Sequence, residues 1–113
     1  SYDLAVWEGE RPESDEQALR IHKALYNKYI ASRVDIPPRL DRRFVRLLLQ
    51  RWPELSEDEN TPWSTAPLIN EACGPYIYFP MSLSRAGEAS AYAAEVAARL
   101  GLVCFDVQSC RLC

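Results

Sequence analysis

Glycine is scarce in this chain, with four in 113 residues, and none of them sits in a glycine-rich run. A phosphate-cradling loop needs several backbone N–H groups free of side-chain bulk, so the usual nucleotide sites are excluded. Histidine occurs once, as His22, and no G-x-S-x-G elbow surrounds any serine. Nucleophilic catalysis is therefore disfavoured, since an activated nucleophile needs a matching base. No apolar run approaches the eighteen residues of a membrane-spanning helix, and the opening "SYDLAVWEGE" carries acids where a secretory signal carries lysines. Positive charge is in deficit, 13 Lys and Arg against 16 Asp and Glu, which argues against general nucleic-acid binding. The expectation is a cytoplasmic protein without a cofactor that engages neither membrane nor nucleic acid.

What remains is an ordinary globular composition, 48% hydrophobic and 26% charged, and a length that suits one domain over residues 1–113. "YDLAVWEG" alternates, with Leu4 and Val6 on one face and Ala5 and Trp7 on the other, which predicts a strand. Ser14 with Gln17 forms a capping box that starts a helix reaching about residue 31, its stripe set by Ala18, Ile21, Leu25 and Tyr29. Pro38 favours a first helical turn, so a second helix is expected over residues 39–52. Leu40, Phe44, Leu47 and Leu48 would be its buried side, and Arg39, Arg42, Arg43 and Arg46 its solvent side. Pro53 stops it, and the acidic "ELSEDENTPWSTAPL" reads as a long loop, of the kind that is functional or mobile.

Two strands around Gly74-Pro75 follow, then a helix with Ala89, Tyr92, Ala93, Val96 and Leu100 in one stripe, then the strand "LVCFDVQ". The order β-α-α-β-β-α-β predicts an α+β fold, a four-stranded antiparallel sheet with helices on one face. With the second helix taken as an insertion, this is the ferredoxin-like plan. Leu4, Val6, Ile77, Phe79, Met81, Val103, Phe105 and Val107 would face the helices; Ala5, Trp7, Tyr76, Tyr78 and Cys104 would face away.

Two features bear on chemistry. Cys110 and Cys113 have the C-x-x-C spacing of half a zinc site, which Cys73 and Cys104 could complete. The latter two are single and distant, and Cys113 is the terminal residue, so structurally idle thiols are the favoured reading, with no metal. An open sheet face bearing Trp7, Tyr76 and Tyr78 would expose more aromatic area than a monomer ordinarily tolerates. It could serve protein contact, or be covered by the loop around Trp63. The arginine side of the second helix reads as a solvated face neutralised by acidic loops.

The stretches "YDLAVWEG", "RWPEL", "PWSTAPLI" and "YIYFPMSLSRAGEASAYAAEVAARLGLVCFD" resemble, over nearly the full length, a group of small, mostly uncharacterised bacterial proteins. Those proteins look like immunity partners of polymorphic toxins, small acidic α+β domains that sit on a toxin's active site. The resemblance implies a non-enzymatic, protein-binding immunity protein or antitoxin. Its acidic loops, residues 8–16 and 54–59, would meet a basic cleft of the toxin. Glu8, Glu57, Asp58 and Glu59 would supply charge, and Trp7, Trp63, Tyr76 and Tyr78 the apolar anchors. The alternative is a homodimer pairing through the aromatic sheet face and holding a small ligand. An enzyme built around a cysteine is a third.

Overall fold

The computed structural model describes all residues, Ser1–Cys113. The opening alternation forms strand β1 (Tyr2–Trp7), and helix α1 (Asp15–Tyr26) begins where the Ser14 hydroxyl accepts from the Gln17 N–H at 3.1 Å. Asp15 and Glu16 occupy its first turn, where the partial positive charge of the unpaired N–H groups favours acids. Beyond Tyr26 the helix widens into a π-helical turn, Asn27–Ala31, that carries Tyr29 inward.

Helix α2 (Arg43–Arg51) starts at Arg43 rather than Arg39. The N–H groups of Arg39 and Leu40 both donate to the Gly74 carbonyl, at 2.7 and 3.0 Å, which ties this segment to a strand turn instead of a helical one. The Asp41 carboxylate then accepts from the Arg43 N–H at 3.0 Å and opens the helix. Strands β2 (Ala72–Cys73) and β3 (Tyr76–Met81) flank the Gly74-Pro75 turn. Gly74 has φ +55°, and a Cβ there would lie 2.9 Å from the Tyr29 ring, so the turn and its packing both require glycine. Helix α3 (Ala86–Arg99), β4 (Val103–Asp106) and β5 (Arg111–Leu112) complete the chain.

The fold is α+β with one open antiparallel sheet, ordered β2-β3-β1-β4-β5. Two expectations are corrected. The sheet has five strands, because the tail after Asp106 turns back and pairs with β4. The helices also lie on both faces: α2 and α3 pack side by side on one, and α1 covers the other. The helix that stands apart is therefore α1, not the second helix.

The α2–α3 side is mostly aliphatic, with Phe44, Trp52, Trp63 and Phe79 among its buried residues. Phe44, Leu48, Ala89, Ala93, Val96 and Ala97 meet Leu4, Val6, Ile77, Phe79 and Met81, all buried, and the small alanines let α3 sit close to the sheet. The phase expected for the last strand is reversed. Ala5 pairs with Phe105 and Val6 with Cys104, so Val103 and Phe105 face α1 with half-buried Val107, while Cys104 joins the aliphatic core. The reason is physical: when both faces are buried, both alternating sets are apolar, and hydrophobicity alone no longer distinguishes them. No helix is long and apolar enough to cross a membrane.

Candidate functional site

Helix α1 closes the aromatic face. Trp7 is 2% exposed and Tyr76 fully buried, and only Tyr78 retains partial exposure. Trp7 and Tyr76 thus cannot serve as surface anchors, and the face expected to pair two copies is occupied by α1 rather than by the loop around Trp63. At its centre lies His22, stacked between the rings of Phe105, Trp7 and Tyr78. The Tyr76 hydroxyl is 2.8 Å from His22 Nδ1 and has no other partner. Burial pushes the Tyr76 pKa up, so it remains a phenol; in the tautomer that carries its hydrogen on Nε2, His22 accepts this hydroxyl at Nδ1. Burial, and secondarily the charge of Lys23, lowers the His22 pKa. Nδ1 is thereby engaged by the buried Tyr76 hydroxyl. Tyr78 donates its hydroxyl to Asp3 at 2.8 Å, and this bond also fixes the rim of a shallow cleft lined by His22, Lys23, Tyr26 and Asn27.

The cysteines do not behave as one group. Cys104 and Cys113 form a disulfide, with Cα atoms 5.3 Å apart, that holds the C-terminal strand against β4. Cys110 is free and exposed, and Cys73 is free and buried in the layer under α1. The C-x-x-C spacing therefore splits between a bonded and a free cysteine, and the expectation of four idle thiols is corrected: one pair staples the tail. No group of three or more His, Cys, Asp or Glu side chains converges as a metal site would require.

The two acidic loops survive as surface features but not as one surface. Residues 8–13 leave the C-terminal end of β1, where the Glu8 N–H donates to the Pro75 carbonyl at 3.1 Å. The second loop, residues 53–67, lies at the other end, because Trp63 bridges to Met81, which pairs with Tyr2. At about 3.3 Å per residue the six-residue strand separates the loops by roughly 20 Å, well beyond a Debye length of about 8 Å. Glu8 accordingly does not share a site with Glu57, Asp58 and Glu59.

The second loop is pinned at its base by three hydrogen bonds. The Glu54 carboxylate accepts from the Leu68 N–H at 3.0 Å, the Thr61 hydroxyl donates to the Pro53 carbonyl at 2.6 Å, and the Trp63 indole donates to the Trp52 carbonyl at 2.9 Å. Trp63 is 1% exposed and packs edge-on against Trp52 and Phe79. It is a staple, not an anchor for a partner. Above this base the tip turns tightly: Glu57 and Asp58 donate their N–H groups to the Glu54 carbonyl, and the Asp58 carboxylate accepts from the Asn60 N–H at 2.9 Å. Arg85 donates to the Asn60 carbonyl and ties the tip to the start of α3. Glu57, Asp58 and Glu59 are exposed, and none forms an ion pair. The arrangement presents three carboxylates on a hydrogen-bonded platform. Glu54, which builds the platform, looks in sequence like any other acid of the run, and nothing there singles it out.

Family models, curated proteins and solved structures were compared with the chain, and none matches.

Proposed function

We propose that this chain is a non-enzymatic, protein-binding module of the immunity-protein kind, which neutralises a bacterial toxin in the cytoplasm by covering its active site. The pinned acidic loop carries the reading. Three unpaired carboxylates are held on a base closed by Glu54, Thr61 and Trp63, so little conformational entropy is lost on docking and the field is fully formed before contact. A basic cleft, such as one that holds a phosphodiester or another anionic substrate, is the complementary surface. We further read the β2-β3-β1-β4 order with the α2–α3 pair as a ferredoxin-like core to which α1 and β5 are additions.

The test is affinity capture from the native cell with the wild-type chain and with the triple variant Glu57→Lys, Asp58→Lys, Glu59→Lys. A basic protein captured only by the wild-type chain, and inhibited by it at one-to-one ratio, supports the reading. Capture that ignores the triple change sinks the loop as the docking element.

A further inference from the structure

The largest cavity in the molecule lies away from the acidic loop, along the outer side of α2. It has a volume of about 670 Å³. Its floor is apolar: Val45 belongs to the buried core at its base, and half-buried Leu49 and Ile69, which is 37% exposed, are the side chains that reach solvent. Pro37 and Pro38 form the opposite wall, held in place by the bonds from Arg39 and Leu40 to the Gly74 carbonyl. Arg42 and Arg46, also one turn apart, stand on the rim, and Gln50 extends the row.

The arginines of this rim have no carboxylate bonded to them. Asp41 is the nearby acid, but its carboxylate is engaged by Arg43 at 2.7 Å; the hydrogen bonds from the Arg43 side chain and N–H, with a smaller contribution from the charge of Arg46, hold its pKa down to about 2. Arg42 and Arg46 form no ion pair. A solvated arginine row on a protein of net charge −3 needs no explanation by itself. Combined with an apolar trough in which Leu49 and Ile69 stay in contact with water, it does. Apolar area that stays in contact with water gains free energy when covered, and the two guanidinium groups select what covers it.

We propose that this groove docks an acidic amphipathic segment of a partner protein, with two apolar side chains one turn apart in the trough and carboxylates on Arg42 and Arg46. An α-helix supplies both, because its i and i+4 side chains share one face and can set apolar groups over Leu49 and Ile69 while neighbouring carboxylates reach Arg42 and Arg46, themselves one turn apart. A nucleic acid would satisfy the arginines but leave Leu49 and Ile69 uncovered. This surface is separate from the acidic loop, and it stands or falls independently of the toxin-neutralising reading.

The test uses the full chain and two fluorescent amphipathic peptides sharing one leucine stripe, with all flanking positions Glu in one and Lys in the other. The Glu peptide is expected to bind at least about tenfold more tightly than the Lys peptide, with the preference fading as salt rises. Arg42→Glu with Arg46→Glu should invert the preference. Ile69→Asp should abolish binding of both peptides; these side chains are exposed, and unchanged circular dichroism confirms that the variants fold. Failure of both peptides to bind, preference for the Lys peptide, or binding indifferent to Ile69→Asp overturns the proposal. So does single-stranded RNA that binds more tightly than the Glu peptide and loses affinity with the arginine changes but not with Ile69→Asp.

Discussion

The two acidic loops carry similar charge on different mountings. Residues 8–13 hold Glu8, Glu10 and Glu13 between a strand end and a helix start, with bonds only where the loop meets its neighbours, from Glu8 to Pro75 and from Glu13 to Gln17. Residues 53–67 hold Glu57, Asp58 and Glu59 on a base closed by a carboxylate, a hydroxyl and an indole, with Trp63 sunk into the aliphatic core. Composition alone makes the loops equivalent. The difference is that one is a connection tied only at its two ends, and the other is a shaped projection whose Glu57, Asp58 and Glu59 carboxylates form no ion pair within the chain.

The strongest way to break the comparison is to remove the staple. Trp63→Ala should destabilise the fold by about 3–5 kcal/mol, since it empties a fully buried site and leaves the Trp52 carbonyl unpaired. Chemical denaturation measures this, and a loss below about 1 kcal/mol would mean that the loop is not anchored in the core. Glu54→Ala should cost less, about 1–3 kcal/mol, by leaving the half-buried Leu68 N–H without its charged acceptor. Glu10→Ala, in the exposed first loop, should be neutral within about 0.5 kcal/mol. Equal effects at Glu54 and Glu10 would erase the distinction.

Acidification separates the same two sides more gently. The His22 pKa is lowered by burial, so folding favours the neutral ring. Its contribution is complete above the unfolded value of about 6.5 and is lost as pH falls through that value towards the folded one. Hydrogen exchange at pH 5 should therefore speed up in α1 and the residues 8–13 before α2, α3 or the pinned loop respond. His22→Gln should flatten this dependence; a wild-type profile in that variant would assign the acid sensitivity to carboxylates instead.

Several elements were legible in the chain because local rules decide them. Ser14 with Gln17 starts α1, the Gly74-Pro75 pair turns the hairpin, and the alanine stripe of α3 faces a sheet. What stayed hidden depends on packing across the chain. Trp7 and Tyr76 look alike whether a sheet face is open or covered, and the side of the sheet that α1 takes is not encoded in its own period. The start of α2 was misplaced because Gly74, far along the chain, competes for the N–H groups of Arg39 and Leu40. The disulfide was unreadable for the same reason: Cys110 and Cys113 match a familiar spacing, but the turn after Asp106 delivers Cys113 to Cys104. Of the candidate site, the acids at Glu57, Asp58 and Glu59 were visible, and the pins that shape them were not.

The central claim is that the pinned carboxylates steer and seat a basic partner. The direct measurement is stopped-flow association of the captured partner with the wild-type chain and with the Glu57→Lys, Asp58→Lys, Glu59→Lys variant, at low and at physiological salt. The account predicts an association rate lower by at least about tenfold in the variant at low salt, with the gap narrowing as salt screens the loop. Association rates that coincide at every salt concentration, with full affinity retained, would contradict it.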